Sequence, residues 1–275
     1  MAKIEQIKPN CGPEKIYVPW AVKITSIKQE SSDSVTIQIP FEKKNVPGQF
    51  VQLSIPGIGE CPISISSHSD KFLDLHIRIV GNMTKAMSKL KAGDTLFVRG
   101  PYGNGYPMEQ FKGKDMVLVG GGCGVAPLRS IIKYVLAHRK DFGKVYLFFG
   151  FRSPGEMIFK EEIEQWKQEK DFYVYITVDA NPKNEKFDGK VCFVTNCIKD
   201  VALEPKNKVV MLCGPPIMMN LAIGFLKEKG FTESQTYISA ERMMHCAVGI
   251  CGHCMIHGKY TCKDGPVFRM DQLKE

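Results

Sequence analysis

Apolar and polar residues alternate with period two through Trp20-Ala-Val-Lys-Ile-Thr-Ser-Ile27, Ser34-Val-Thr-Ile-Gln-Ile39, Gln49-Phe-Val-Gln-Leu-Ser-Ile55 and Phe72-Leu-Asp-Leu-His-Ile-Arg-Ile79. Gly, Pro, Ser and Asp breaks separate these runs, so each reads as a half-buried strand. A helical patch from Thr84 to Leu90 interrupts the pattern before Thr95-Leu-Phe-Val-Arg99. Short strands with turns at regular spacing predict a small antiparallel barrel. After Gly113 the texture changes. Met116-Val-Leu-Val119 is wholly apolar, as suits a strand buried on both faces, and a helix is predicted over Pro127–His138. Strands over Lys144–Phe149, Phe172–Val178, Val209–Cys213 and Tyr237–Ser239, with helices over Glu156–Gln168 and Ile217–Lys229, complete a strand–helix rhythm. That rhythm predicts a doubly wound parallel sheet. From Glu241 onward the chain is rich in Cys, Gly and His, and no period in it would build a core.

The expected organisation is therefore a barrel over residues 1–112, an α/β domain over 113–239 and a short tail over 240–275. A chain of 275 residues with 44% hydrophobic and 24% charged residues has enough apolar material for two cores. Its most apolar stretch, Val145–Phe151, is far short of the ~18 residues of a membrane span. The first fifteen residues contain no apolar core of a secretion signal, so a cytoplasmic location is expected. Net charge is +8, but the basic residues are scattered. A nucleic-acid partner is not expected, and the excess reads as a solvated lysine-rich surface or a face for an acidic protein.

Ten cysteines are unusual in such a chain, and four of them fall close together. Cys246, Cys251, Cys254 and Cys262 have the spacing C-x4-C-x2-C-x7-C, whose start matches the plant-type [2Fe–2S] spacing. Thiolates are the soft, anionic donors that iron and sulfide need, while Gly249 and Gly252 allow backbone N–H groups to approach the sulfurs. Four cysteines also bind zinc, but zinc sites usually present two close pairs, and here the fourth cysteine stands alone. A redox-inactive, zinc-stabilised adaptor is therefore the competing reading. His245, His253 and His257 are read as neighbours of the cluster rather than ligands.

Val119-Gly-Gly-Gly-Cys-Gly-Val-Ala-Pro127 follows a buried strand and opens a helix, where glycines and free N–H groups admit a pyrophosphate. Pro127 replaces the third glycine of the dinucleotide fingerprint, and Gly150-Phe-Arg152 ends the second strand without an acidic residue. Cys213-Gly-Pro-Pro216 lies at the end of a later strand and reads either as a ligand loop or as an ordinary turn.

Together these features resemble the ferredoxin–NADP reductase superfamily over nearly the whole chain. Pro47-Gly-Gln-Phe50, Pro62-Ile-Ser-Ile65, Gly100-Pro-Tyr-Gly-Asn-Gly-Tyr-Pro107 and the cysteine tail narrow it to flavin subunits of multi-subunit enzymes. Those of anaerobic sulfite reductases are the most similar, with cytoplasmic sulfhydrogenases and dihydroorotate dehydrogenases as alternatives. The resemblance implies FAD on the barrel, a nicotinamide nucleotide (NADH favoured over NADPH) on the α/β domain, and a [2Fe–2S] cluster in the tail. It puts Pro62, Ile63 and Ser64 along the flavin, with His76, Ile77 and Arg78 beside it. Many members have an arginine just before this Pro-x-Ser segment to bind the flavin pyrophosphate. Cys61 stands there instead, and Arg78 is the expected replacement. Gly81 and Thr84 would receive phosphates at a helix N-terminus; Gly122, Gly124, Pro127 and Arg152 would meet the nucleotide; Cys213 and Gly214 would lie near the nicotinamide. The implied partners are the iron–sulfur and catalytic subunits of a reductase, with electrons passing from NAD(P)H through FAD to the cluster and then outward.

Overall fold

The computed structural model describes residues 16–273. Cys11 and the segment 1–15, read above for a signal, lie outside the described residues. The barrel strands are β1 (Trp20–Lys23), β2 (Ser26–Ser31), β3 (Ser34–Pro40), β4 (Phe50–Ile55), β5 (Gly59–Ser64), β6 (Phe72–Arg78) and β7 (Thr95–Tyr102). Helix α1 (Asn82–Met87) lies between the last two. They form two antiparallel sheets, β1-β7-β4-β5 and β2-β3-β6, joined where Ile65 bridges Leu75. The period-two pattern explains the core. Val35, Ile37 and Ile39 of β3 and Leu73, Leu75 and Ile77 of β6 all point inward and are buried. Their neighbours Asp74, His76 and Arg78 therefore take the outer face.

Trp20–Ile27, predicted as one strand, is two. The chain changes sheets at Ile24 and Thr25, whose N–H groups donate to the Asp94 carbonyl just before β7 and to the Gln38 carbonyl on β3 (2.9 and 2.8 Å). Alternation continues across such a corner, so the pattern alone does not reveal it.

The second domain contains β8 (Asp115–Gly121), α2 (Val125–Ala137), β9 (Val145–Phe151), α3 (Lys160–Gln168), β10 (Phe172–Val178) and β11 (Lys190–Val191). It continues through α4 (Val194–Asp200), β12 (Lys208–Cys213), α5 (Pro216–Glu228) and β13 (Thr236–Ser239). Helices α2 and α3 pack on one face of the sheet, and α4 and α5 on the other. The tail adds a small hairpin, β14 (Met255–Ile256) with β15 (Lys259–Tyr260), and a strand, β16 (Val267–Arg269). The full sheet order is β11-β10-β9-β8-β12-β13-β16.

Two differences from the sequence reading have physical causes. The sheet is parallel except at its edge, where β16 returns from the tail and pairs antiparallel with β13. The tail is thus stitched to the nucleotide domain through three residues too short to carry a period. Helix α3 begins at Lys160 rather than Glu156, because Phe159 adopts left-handed backbone (φ 55°). The Phe159 ring packs edge-on against His76 (5.3 Å) and lies under the Arg129 guanidinium (4.8 Å). Arg129 in turn bonds Asp74 (2.9 Å) and the Ser66 carbonyl (2.8 Å) of the barrel, as well as Glu162 on α3. The helix start is set by the domain junction, and breaking one partner of such a buried pair costs about 3–5 kcal/mol.

Candidate functional site

In the order β10-β9-β8-β12-β13, successive strands step outward from β8 in one direction and from β12 in the other. The gap between the ends of β8 and β12 is where open α/β sheets bind ligands. A cleft of about 470 Å³ opens there. Its sheet-side wall is Gly121–Gly124, Gly150–Arg152, Asp179 and Gly214, with Ile217, Met218 and Leu221 of α5. The barrel contributes Ser31, Asp33, Ser34 and Arg78, and the tail contributes Glu241. Glycine is obligatory at Gly124, where a Cβ would stand 2.3 Å from the Cys213 carbonyl oxygen. Gly122 has φ +53° and open space where its Cβ would be, so the backbone itself forms this part of the wall.

Of the residues expected at nucleotide or flavin, Arg78, Gly122, Gly124, Arg152 and Gly214 line this cleft. Pro127 is buried in the first turns of α2, and Cys213 is 1% exposed, beneath the wall rather than in it. Burial pushes the Cys213 thiol up to about 12. Burial likewise pushes Cys123, on the wall, to about 11. Arg78 donates to Asp33 Oδ2 (3.1 Å), so the expected phosphate arginine carries its own counter-ion. Burial raises Glu241, and raises Asp179 against the opposing influence of Arg152. The sequence reading did not single out Asp33, Asp179 or Glu241. Asp179 directly follows a predicted strand, the one signal that marks it.

The rest of the expected flavin set lies on the barrel. Pro62 and Ser64 face outward on β5, opposite Gln52 and Phe50 of β4, whereas Ile63 and Ile77 point into the barrel core. Only the backbones of those two could meet a ligand. Thr84 Oγ1 accepts from the Val80 and Gly81 N–H groups (3.0 and 2.9 Å), so two donors at the expected phosphate position are already used. His76 is 7% exposed, with Nδ1 3.4 Å from Thr36 Oγ1 and Nε2 without a partner. Burial pushes its pKa down to about 4. The folded protein thus keeps His76 neutral, while the unfolded chain takes up a proton near pH 6.5. Stability is full above about pH 6.5 and is lost as pH falls towards 4. The expected loss is about 3 kcal/mol. Denaturant titrations of wild type and His76→Gln across this range should show a flatter profile in the variant.

The four tail cysteines come together as two pairs. The Cys254 and Cys262 sulfurs are 3.3 Å apart, and the Cys246 and Cys251 side chains are hydrogen-bond partners. Among the described residues no three such side chains converge as a single-ion site. Backbone N–H groups surround the sulfurs: Val248, Ile250 and Cys251 donate to Cys246 (3.4–3.5 Å), and Gly249 donates to Cys262 (3.1 Å). Positive φ at Ala247 (64°) and Gly249 (76°) curls the loop inward. The N–H groups of Cys246 and His253 hold the exposed Cys251 thiol down to about 7. Burial opposes ionisation of Cys246, but the N–H groups of Val248, Cys251 and Ile250 outweigh it. Burial and the Cys254 thiol push Cys262 up to about 12. His245 and His253 pack edge to face (4.3 Å) beside the loop.

The loop sits on the outer face of the barrel. Cys254 and Cys262 share an apolar cluster with Phe50, Tyr102, Met244 and Ala247. Across the sheet, Tyr102 pairs with Phe50 and Phe50 with Ser64; Arg99 pairs with Gln52 and Gln52 with Pro62. The two rungs that carry Pro62 and Ser64 on β5 therefore carry the cysteine loop on β4 and β7, about 5 Å away per strand.

Three family models match consecutive parts of the chain. They are the oxidoreductase FAD-binding domain at residues 21–106, the oxidoreductase NAD-binding domain at 118–223, and the iron–sulfur cluster binding domain of dihydroorotate dehydrogenase B at 241–274. Sulfhydrogenase 1 subunit gamma of Pyrococcus furiosus is 38% identical, over 96% of this chain and 94% of its own. A probable dihydroorotate dehydrogenase B electron transfer subunit of Methanocaldococcus jannaschii is 33% identical, over 93% and 91%. The solved structure of an NADH-dependent reduced ferredoxin–NADP oxidoreductase superposes with a TM-score of 0.75 at 25% identity, covering 92% of this chain and 91% of that one. No helix among the described residues is long and apolar enough to cross a membrane.

Proposed function

The chain belongs to the ferredoxin–NADP reductase-like family of electron-transfer subunits, with FAD-, NAD- and iron–sulfur-binding domains, and from that premise we propose that it carries electrons between NAD(P)H and a partner iron–sulfur subunit in the cytoplasm. The observation that carries this reading is the pair of shared rungs, which sets the cysteine loop beside the strand expected to face the flavin. Bound flavin exchanges electrons with nicotinamide in pairs and with iron–sulfur groups singly.

The residues fit these groups. Paired thiols surrounded by N–H donors suit a [2Fe–2S] cluster, which Cys246, Cys251, Cys254 and Cys262 would hold. Gln52 Oε1 and His76 Nε2 are buried atoms without partners, on the outer faces of β4 and β6; FAD is proposed on the outer face of β5. For FAD, Pro62 and Ser64 offer side chains, Ile63 and Ile77 offer backbone, and Arg78 offers its charge, while Gly81 and Thr84 follow at the start of α1 with the Gly81 N–H held by Thr84 Oγ1. Gly122 and Gly124 leave room for a nucleotide backbone in the cleft, where the N-terminal end of α2 and Arg152 would meet its phosphates. Pro127 holds that turn from below, while Cys213 supports the wall on which Gly214 meets the nicotinamide. Phe50, Tyr102, Met244 and Ala247 keep the base of the cysteine loop dry, and exposed Cys251 marks its outward rim.

Purified protein should contain FAD and two irons per chain, with flavin bands over a broad iron–sulfur absorption. A colourless protein with stoichiometric zinc overturns the reading. For the complete enzyme we propose a multi-subunit anaerobic sulfite reductase, on the resemblance in Tyr102–Pro107, Gly214–Met218 and Cys251–Cys254. The sulfhydrogenase gamma relatives support a second reading, a hydrogenase. Sulfite- and hydrogen-dependent turnover of the native complex with NADH and NADPH separates the two.

A further inference from the structure

Arg99 is 5% exposed on β7, in the interior of a strand where an unpaired charge would be very costly. Its donors are distributed between two elements. Nε donates to Glu60 Oε2 (2.9 Å), and Nη2 donates to the other Glu60 oxygen. Nη1 donates to the Cys246 carbonyl (2.8 Å) and Nη2 to the His245 carbonyl (3.1 Å), while Nη1 also reaches the Tyr102 hydroxyl (3.1 Å). Gln52 Nε2 adds a long contact to the His245 carbonyl (3.5 Å). Glu60 by itself would satisfy the charge at the barrel surface. The loop contacts are additional, and they grip the peptide units on both sides of Cys246. A trans peptide points its N–H opposite to its C=O. The unit whose carbonyl Arg99 holds therefore presents the Cys246 N–H away from the barrel, towards the Cys251 sulfur.

We propose that Arg99 is a positioning residue that holds the cysteine loop in its N–H-donating form and raises the reduction potential of the iron–sulfur group through its buried positive charge, with Glu60 setting how far. The inference rests on the function proposed above. The physical basis is that reduction adds an electron, which a nearby cation favours and a nearby carboxylate opposes, in a setting that water screens poorly. Lysine would keep the charge but lose the fork that spans two carbonyls and a carboxylate.

The test is a redox titration of the iron–sulfur absorption in purified wild type, Arg99→Gln, Arg99→Lys and Glu60→Gln, with iron and flavin measured on the same samples. Arg99→Gln should shift the potential down and Glu60→Gln should shift it up, with Arg99→Lys between wild type and Arg99→Gln. A purely structural role would not produce shifts of opposite sign. Iron-containing variants that all titrate at the wild-type potential overturn the inference. If Arg99→Gln loses its iron, Glu60→Gln decides alone: an upward shift supports the inference and an unchanged potential overturns it. Wild-type protein without iron instead overturns the functional reading on which this one stands.

Discussion

Cys251→Ala is expected to lose its iron while remaining folded, with bound FAD still reduced by NAD(P)H. Cys251 is exposed and contributes to no apolar cluster, so its truncation should change stability by no more than about 0.5 kcal/mol. Its sulfur is nonetheless half of the Cys246 pair, and removing it would leave the proposed cluster three protein thiolates instead of four. Iron per chain should fall at least about tenfold, given the strength of metal–thiolate binding. Electron delivery to the partner subunit should fall with it. Circular dichroism and flavin content check the fold, chemical analysis reports the iron, and anaerobic mixing with NADH reports flavin reduction. Wild-type iron content would remove Cys251 from the ligand set. A folded variant whose flavin NADH no longer reduces would contradict the order of carriers.

Gly124→Ala should weaken nicotinamide-nucleotide binding by about 10- to 100-fold without removing flavin or iron. The added methyl would meet the Cys213 carbonyl oxygen at 2.3 Å, its carbonyl carbon at 2.5 Å and Gly214 Cα at 2.7 Å. All three are backbone atoms at the end of a central strand, so the glycine loop must retreat instead. Overpacking of this kind costs about 1–3 kcal/mol, and each 1.4 kcal/mol is tenfold in affinity. Gly122→Ala provides the contrast, because nothing lies within 4 Å of its Cβ position and only the φ of +53° resists it. Its effect should be the smaller of the two. Titration with NADH and NADPH measures both variants, and wild-type affinity in Gly124→Ala would dissociate the loop from nucleotide binding.

The two variants probe sites that were both legible in the sequence. The convergence of the four cysteines could be read from spacing because residues on one short loop stay close in space. The glycine loop was legible for a similar reason: strand, turn and helix N-terminus follow one another without a gap. The cleft's acidic residues were not. Asp33 comes from a barrel turn, Asp179 from the end of β10 and Glu241 from the tail, and no local pattern brings them to one wall. Arg99 is a plainer case. It ends the run Thr95-Leu-Phe-Val-Arg99 with nothing in the sequence to mark it, and its partners lie 39, 146 and 147 residues away. Ile63 and Ile77 show the converse. They belong to segments expected at the flavin, and strand alternation turns their side chains away from it.

What the amino-acid order determined alone was whatever depends on near neighbours: two domains of different texture, the faces of their strands, the strand–glycine–helix turn and the cysteine spacing. Tertiary structure decided what depends on distant segments meeting. It split the first strand across two sheets, returned β16 to the edge of the nucleotide domain, and gave Arg78 a counter-ion in Asp33. It also laid the cysteine loop on the two rungs that end in Pro62 and Ser64. Hydrophobic periodicity records which side of an element is buried, but not what covers it, and electron transfer depends on what lies against what.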